Sequence, residues 1–267
     1  MSSEFETVWS RIREIVDARP EGTLVSVTAV DPTSGETLAI DGERSFPSAS
    51  TVKILILAAL ARAFDDGRLR PTDTRVAPAE IRLTGSGVVN WLDPDLALTL
   101  RDHAWLMTAI SDNTTSNVCI DAVGIDEINA VGAELGAGDT RLGRMFMDRN
   151  IPPGPPQNRA TTNGLVAILA AIESDTAASP GQCAWMRACM DDQQHRDRLP
   201  RHLPGDVHYR GKTGTIEGIA HDCGVLVGPN GKIIVAVLTQ SFDNPYDADR
   251  LIGRVGTAIA DGLTDAE

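Results

Sequence analysis

Ser50 and Lys53 stand three residues apart at the head of the apolar run "FPSASTVKILILAAL", residues 46 to 60, where Lys53 is the one charged residue. If a helix begins near Ser50, the two side chains share one face about one turn apart, and the lysine amine can reach the serine hydroxyl. That places a nucleophile beside a base. The N-terminus of such a helix also gathers backbone N–H groups around Ser50, which favours negative charge developing on a bound carbonyl oxygen. An amine withdrawn from water beside other cations loses basicity and can accept the serine proton. The same spacing also suits a capping serine followed by a lysine that snorkels to solvent. Two further stretches bear on the choice. "ISDNTTSN" puts Ser111, Asp112 and Asn113 at the end of a helical pattern, and "RGKTGTIEG" puts Lys212, Thr213 and Gly214 on a late strand.

The elements that must position these residues are legible in outline. Phe5, Val8, Trp9, Ile12, Ile15 and Val16 fall at helical spacing and predict an amphipathic first helix over residues 4–17. "TLVSVTAVD" and "ETLAIDG" follow as β-rich runs joined by a "PTSG" turn, an antiparallel hairpin. Helical patterns then dominate: 50–66, 99–111 continuing from Thr114, 126–135, 161–174 and 181–194. The proline-rich "RLGRMFMDRNIPPGPPQNRATT" can be neither helix interior nor central strand, and predicts a long surface loop. Strands return in "VHYRGKTG", "AHDCGVLVG" and "KIIVAVLTQ", the last two joined by "PNG", an Asn-Gly hairpin signal. A final helix runs from about Tyr246 to Leu263. The expected architecture is α/β of the α+β kind: one mostly antiparallel sheet from residues 1–49 and 204–267, covered by the terminal helices on one face and by an inserted helical lobe, 50–203, on the other.

Taken together and in this order, Ser-x-x-Lys at 50–53, Ser-Asp-Asn at 111–113 and Lys-Thr-Gly at 212–214 resemble the serine penicillin-recognising family: class A β-lactamases, penicillin-binding proteins and related serine hydrolases. The resemblance runs from the Phe46–Pro47 lead-in to the last helix and implies the β-lactamase/transpeptidase-like fold with a five-stranded antiparallel sheet. It implies that Ser50 is acylated, that Lys53 is its proton partner, and that Ser111 relays a proton to the leaving group. Asn113 would hydrogen-bond the substrate amide, and Asp112 would be structural. Lys212 and Thr213 would meet a substrate carboxylate next to Gly214, and the N–H groups of Ser50 and Thr215 would form the oxyanion hole.

Two departures stand out. Class A β-lactamases carry a loop glutamate, in a Glu-x-x-Leu-Asn pattern, that activates the deacylating water. No Glu occurs here between Glu134 and Glu173. Aligning on "RLGR" puts Phe146 in the glutamate's place and Asn150 at the pattern's asparagine, whereas anchoring on "NRATT" puts Phe146 or Met145 there. Asp148 is the nearest carboxylate, shorter and shifted, and reads as a structural contact. Many relatives also carry an arginine near the strand after Lys-Thr-Gly that helps hold the substrate carboxylate. In "GIAHDCG" the nearest match is His221, which equally suits an edge-strand histidine beside Asp222.

Composition narrows the rest. A net charge of −13 over 267 residues, with no basic block, excludes a nucleic-acid partner. The N-terminus lacks a secretory pattern and no run of about 18 apolar residues occurs, so no membrane partner and a cytoplasmic location are expected. Cys119, Cys183, Cys189 and Cys223 read as reduced, partly buried thiols. His195, His202 and His208 show no ligand spacing, so neither metal nor organic cofactor is expected. "GSGVVNWL", with Trp91, resembles the active-site wall of β-lactamase-like hydrolases rather than a phosphate loop. The reading is a serine hydrolase acting on a β-lactam, amide or ester through an acyl-enzyme on Ser50. An acyltransferase that passes the acyl group to an acceptor other than water, a biosynthetic amidase or esterase on the same scaffold, and a non-turnover sensing module remain as alternatives.

Overall fold

The structure is a computed structural model that describes residues 2–147 and 157–264. Five strands, β1 (Leu24–Val30), β2 (Thr37–Ile40), β7 (His208–Ile216), β8 (Ile219–Gly228) and β9 (Gly231–Gln240), form one sheet in the order β2-β1-β9-β8-β7, with every neighbouring pair antiparallel. Side chains alternate between its faces. Ile234, Ala236 and Leu238 of β9 join one apolar core, and Val235 and Val237 join the other.

The second core is roofed by α1 (Ser2–Asp17) and α8 (Pro245–Leu263). Val8, Ile12, Ile15 and Val16 form the buried stripe of α1, and Arg11 on its outer face pairs with Asp261 of α8 at 2.6 Å. The first core is built round α2 (Lys53–Asp65), whose residues Lys53 to Ala61 are all buried. A helix apolar on every side belongs at the centre of a bundle. Here it is surrounded by α3 (Leu100–Ala109), α4 (Asn113–Val123), α5 (Ile125–Glu134), α6 (Thr162–Glu173) and α7 (Pro180–Asp191).

Two short ribbons, β3 (Phe46–Pro47) with β6 (Arg159–Ala160) and β4 (Thr74–Val76) with β5 (Ala97–Thr99), have no counterpart in the sequence reading. Strands of two or three residues are too short to show alternation. Other boundaries differ for local reasons. The helix expected from Ser50 starts at Lys53, and the helix expected over 99–111 stops at Ala109, because Ser111 takes a left-handed conformation at φ 58°. The β8–β9 turn closes at Gly228↔Gly231, so its two loop residues are Pro229 and Asn230 rather than Asn-Gly, and Gly231 opens β9 at φ 132°. The prolines of the long loop, together with Asp148 and Asn150, lie outside the described residues.

Candidate active site

Ser50 sits in the tight entry to α2. Thr51, Lys53, Ile54 and Leu55 donate their backbone N–H groups three residues back, to Ser48, Ser50, Thr51 and Val52, at 3.0–3.3 Å. This is 3₁₀ geometry, and it follows Ala49 at φ 46°. The serine thus stands ahead of the helix proper, partly buried, and its hydroxyl and N–H have no hydrogen-bond partner among the described residues. Strand β7 passes close by: a Cβ added at Gly214 would lie 2.9 Å from Ser50 N. Only glycine lets the two backbones approach this far. Since β7 is the edge strand and its hairpin closes at Ile216↔Ile219, the Thr215 N–H falls in the set that points away from β8, toward the serine. Two free N–H groups beside one hydroxyl can receive an oxyanion.

Lys53 is fully buried, and its Nζ lies 2.8 Å from the Ser111 carbonyl, 3.1 Å from Ser111 Oγ and 3.0 Å from Asn113 Oδ1. The two carbonyl oxygens can only accept, whereas the hydroxyl can donate or accept. A neutral amine therefore keeps all three contacts, giving two protons and taking one from Ser111. Burial first, and the nearby Lys212 charge second, hold the Lys53 pKa well below the ordinary lysine range, against the opposing pull of Asp112. No direct Lys53–Ser50 hydrogen bond is formed. The left-handed turn at Ser111 is what aims both of its oxygens at the amine.

The Phe146 ring lies over this amine, its centroid 4.6 Å from Nζ. Asn117 of α4 fixes the residue by its backbone: Phe146 N donates to Asn117 Oδ1 at 2.8 Å and Asn117 Nδ2 donates to Phe146 O at 3.1 Å. Both anchorings of the sequence allow Phe146 at the glutamate's place, and Phe146, not Met145, is the residue whose side chain lies over the amine. Asp112 turns away from the reaction centre. Its Oδ1 caps α4 through Thr115 N, and its Oδ2 accepts from Val88 N and Val89 N at 2.7 and 2.9 Å, pinning the wall segment whose Ser86 and Gly85 face Ser50. A Cβ at Gly87 would come within 2.2 Å of the same carboxylate.

Across the serine, Lys212 is also fully buried, and its pKa falls to about 7 through burial, with Arg198 adding to the fall. Among the described residues its one hydrogen bond is to the Thr213 carbonyl, at 2.9 Å. The expectation for His221 is corrected. It is fully buried, Thr239 N donates to Nδ1 at 3.1 Å, and Nε2 faces the Pro47 carbonyl at 2.9 Å. Burial lowers its pKa to about 4, so it is neutral and braces the lead-in to Ser50 instead of facing a ligand. The cation at this position is Arg198, which the sequence reading missed. Its Nε pairs with Asp249 at 2.7 Å, Nη1 donates to the carbonyls of Gly214 and His221, and Nη2 donates to Thr215 Oγ1 at 2.7 Å.

Two cavities flank Ser50. The smaller, about 100 Å³, is polar and is lined by Ser50, Ser111, Thr213, Thr215, His195 and Arg198, among others. The larger, about 560 Å³, lies on the other side against Met145, Phe146, Met147, Pro47 and Ile216, with Asn113 at its wall. The arrangement thus suits a ligand with an anionic end and a bulkier apolar end, joined by the bond that Ser50 faces. Among the described residues no group of three or more His, Cys, Asp or Glu side chains could hold a metal ion. The four cysteines are free and buried, and burial lifts the Cys119 thiol to about 12. No helix among the described residues is long and apolar enough to cross a membrane.

A family model described as "Beta-lactamase enzyme family" matches residues 7–263. The chain is similar to β-lactamase AER-1 of Aeromonas hydrophila, with 28% identity over 89% of this chain and 80% of that protein. It is also similar to the β-lactamase regulatory protein BlaB of Streptomyces cacaoi, with 26% identity over 96% and 98%. Among solved structures, the β-lactamase from Sphaerobacter thermophilus superposes with a TM-score of 0.89 at 34% identity, covering 98% of this chain and 99% of that one.

Proposed function

The chain belongs to the β-lactamase enzyme family and is a β-lactamase-like serine hydrolase, and from that premise we propose that it opens a β-lactam, or a related amide or ester, through an acyl-enzyme on Ser50. The observation that carries this reading is the buried Lys53 amine, satisfied in its neutral form by Ser111 and Asn113 and held far below its usual pKa. A neutral amine is a base. As Ser50 Oγ attacks the carbonyl carbon, its proton passes to Lys53, and the oxyanion forms against the N–H groups of Ser50 and Thr215. On collapse the carbon–nitrogen or carbon–oxygen bond breaks, Ser111 Oγ protonates the leaving atom, and Lys53 returns the proton to Ser111. Lys212, Thr213 and Arg198 receive the substrate carboxylate, Asn113 holds the acyl amide, and the acyl side chain occupies the cavity beside Phe146.

Deacylation is the slow half-reaction in this reading. A phenyl ring covers the amine where a carboxylate would hold and activate water, which leaves Lys53 or Ser111 to do so. The same ring favours a second reading, in which an amine or alcohol entering the larger cavity takes the acyl group in place of water. An intact-mass time course with a chromogenic cephalosporin, absorbance followed alongside, tests both. A mass increase of one acyl group, absent in Ser50→Ala, is expected. Turnover undiminished in Ser50→Ala would overturn the assignment, and faster colour release on adding small amines or alcohols would favour transfer over hydrolysis.

A further inference from the structure

Behind the polar cavity lies a chain of buried polar groups that the mechanism does not use. Tyr209 of β7 is fully buried, and its hydroxyl donates to Asp222 Oδ1 of β8 at 2.5 Å. The ring can take this path because the residues paired between them are Gly211 and Gly224: a Cβ at Gly211 would lie 2.2 Å from the tyrosine hydroxyl oxygen, and one at Gly224 would lie 2.7 Å from Cε2. The other carboxylate oxygen, Asp222 Oδ2, accepts from Leu199 N at 3.0 Å. Leu199 is in turn pressed from the far side by α8, where a Cβ at Gly256 would lie 2.0 Å from its carbonyl oxygen. The backbone is gripped on both sides one residue after Arg198. Such a grip decides where the guanidinium sits, because Arg198 enters the site from an irregular segment between α7 and β7 with no helix or strand of its own to fix it.

We propose that Tyr209 and Asp222 are positioning residues, a strut that holds the Leu199 N–H and thereby sets the Arg198 fork against Gly214 and Thr215 where the substrate carboxylate is received. The carboxylate-receiving role rests on the function proposed above, whereas the mechanical link does not. Two hydrogen bonds converge on one buried carboxylate, both stronger for its charge, so losing either frees the segment. Tyr209→Phe keeps the ring volume and deletes only the donor, and Asp222→Asn keeps the shape and deletes the charge.

The first readout is hydrogen exchange at the Arg198 side-chain Nε–H by NMR. In both variants exchange is expected to accelerate about tenfold or more, while the β9 backbone amides keep their protection. Unchanged exchange at Arg198 in both overturns the proposal. The second readout is acylation of Ser50 by a carboxylate-bearing penicillin and by a neutral aryl ester. Tyr209→Phe is expected to raise the half-saturating penicillin concentration about tenfold with the limiting rate preserved, and to leave the ester kinetics unchanged. An equal loss toward both probes means a merely structural role and overturns the proposal. If the unaltered protein is acylated by neither, the proposed function fails, and the exchange result still decides the strut.

Discussion

Replacing Phe146 by Glu would put a carboxylate in the volume of the ring, whose centre lies 4.6 Å from Lys53 Nζ. At that separation, with an effective dielectric constant of about 20, an ion pair is worth roughly 3 to 4 kcal/mol. Such an ion pair raises the Lys53 pKa, opposing the burial that holds it down. Two consequences oppose each other. Lys53 is neutral in a smaller fraction of molecules at pH 7, so acylation slows and its pH profile moves to higher pH. Deacylation gains a general base beside the ester, which is worth about 10²–10⁴-fold. The assay is rapid-quench intact mass with a chromogenic cephalosporin from pH 5 to 10, which separates the rise of the adduct from its decay. The parent is expected to accumulate the adduct, and Phe146→Glu to shorten its lifetime at least about 100-fold. An acylation profile that shifts while the adduct lives as long as in the parent would refute the idea that Phe146 withholds the water-activating group. A profile that does not shift would refute the placement of the ring over the amine.

Three further outcomes follow from the same geometry. Asp112→Ala removes the acceptor for Val88 N, Val89 N and Thr115 N, and is expected to cost about 3–5 kcal/mol in urea unfolding; a loss under about 1 kcal/mol would show that the wall stands without it. Lys212 titrates near 7, so its ammonium predominates below that pH, and above it carboxylate binding must take up a proton. KM for an anionic substrate is accordingly expected to rise above pH 7, by up to about tenfold per unit, and Lys212→Arg to flatten the profile. His221→Asn is expected to lower stability by about 1–3 kcal/mol and to leave the ratio of KM for anionic and neutral substrates unaltered. A selective rise for the anionic substrate would restore a ligand role to that residue.

What the sequence revealed divides along the range of the interactions. Ser50, Lys53, Ser111, Asn113 and Lys212 are readable because each sits in a short run whose residue types already suggest the chemistry, and the alternating strands and the helix periodicity around them report local burial. Arg198 was not readable, since "HRDRLP" carries no motif and the arginine acquires its place from Asp249, Thr215 and the Gly214 carbonyl, 51, 17 and 16 residues away. His221 was misplaced for the converse reason. Its neighbours in sequence suit an edge position, but β8 lies between β7 and β9, so the imidazole is dry and neutral. The start of α2 at Lys53 rather than Ser50 depends on three-residue hydrogen bonds that leave no periodic signal.

The β1–β9 ladder, Leu24 opposite Gln240 through Val30 opposite Ile234, joins segments more than 200 residues apart in the middle of the sheet. On a ribosome the hairpin of β1 and β2 emerges well before β9, so its β9 edge stays bare until the helical lobe, β7 and β8 have been made. The sheet therefore closes only once β9 has been made, and the loop closed at that moment spans more than 200 residues. Until then the Val25–Val30 edge is an unpaired template of the kind that seeds strand-to-strand aggregation, so expression yield, more than equilibrium stability, is the property most exposed to changes in the pairing of β1 with β9.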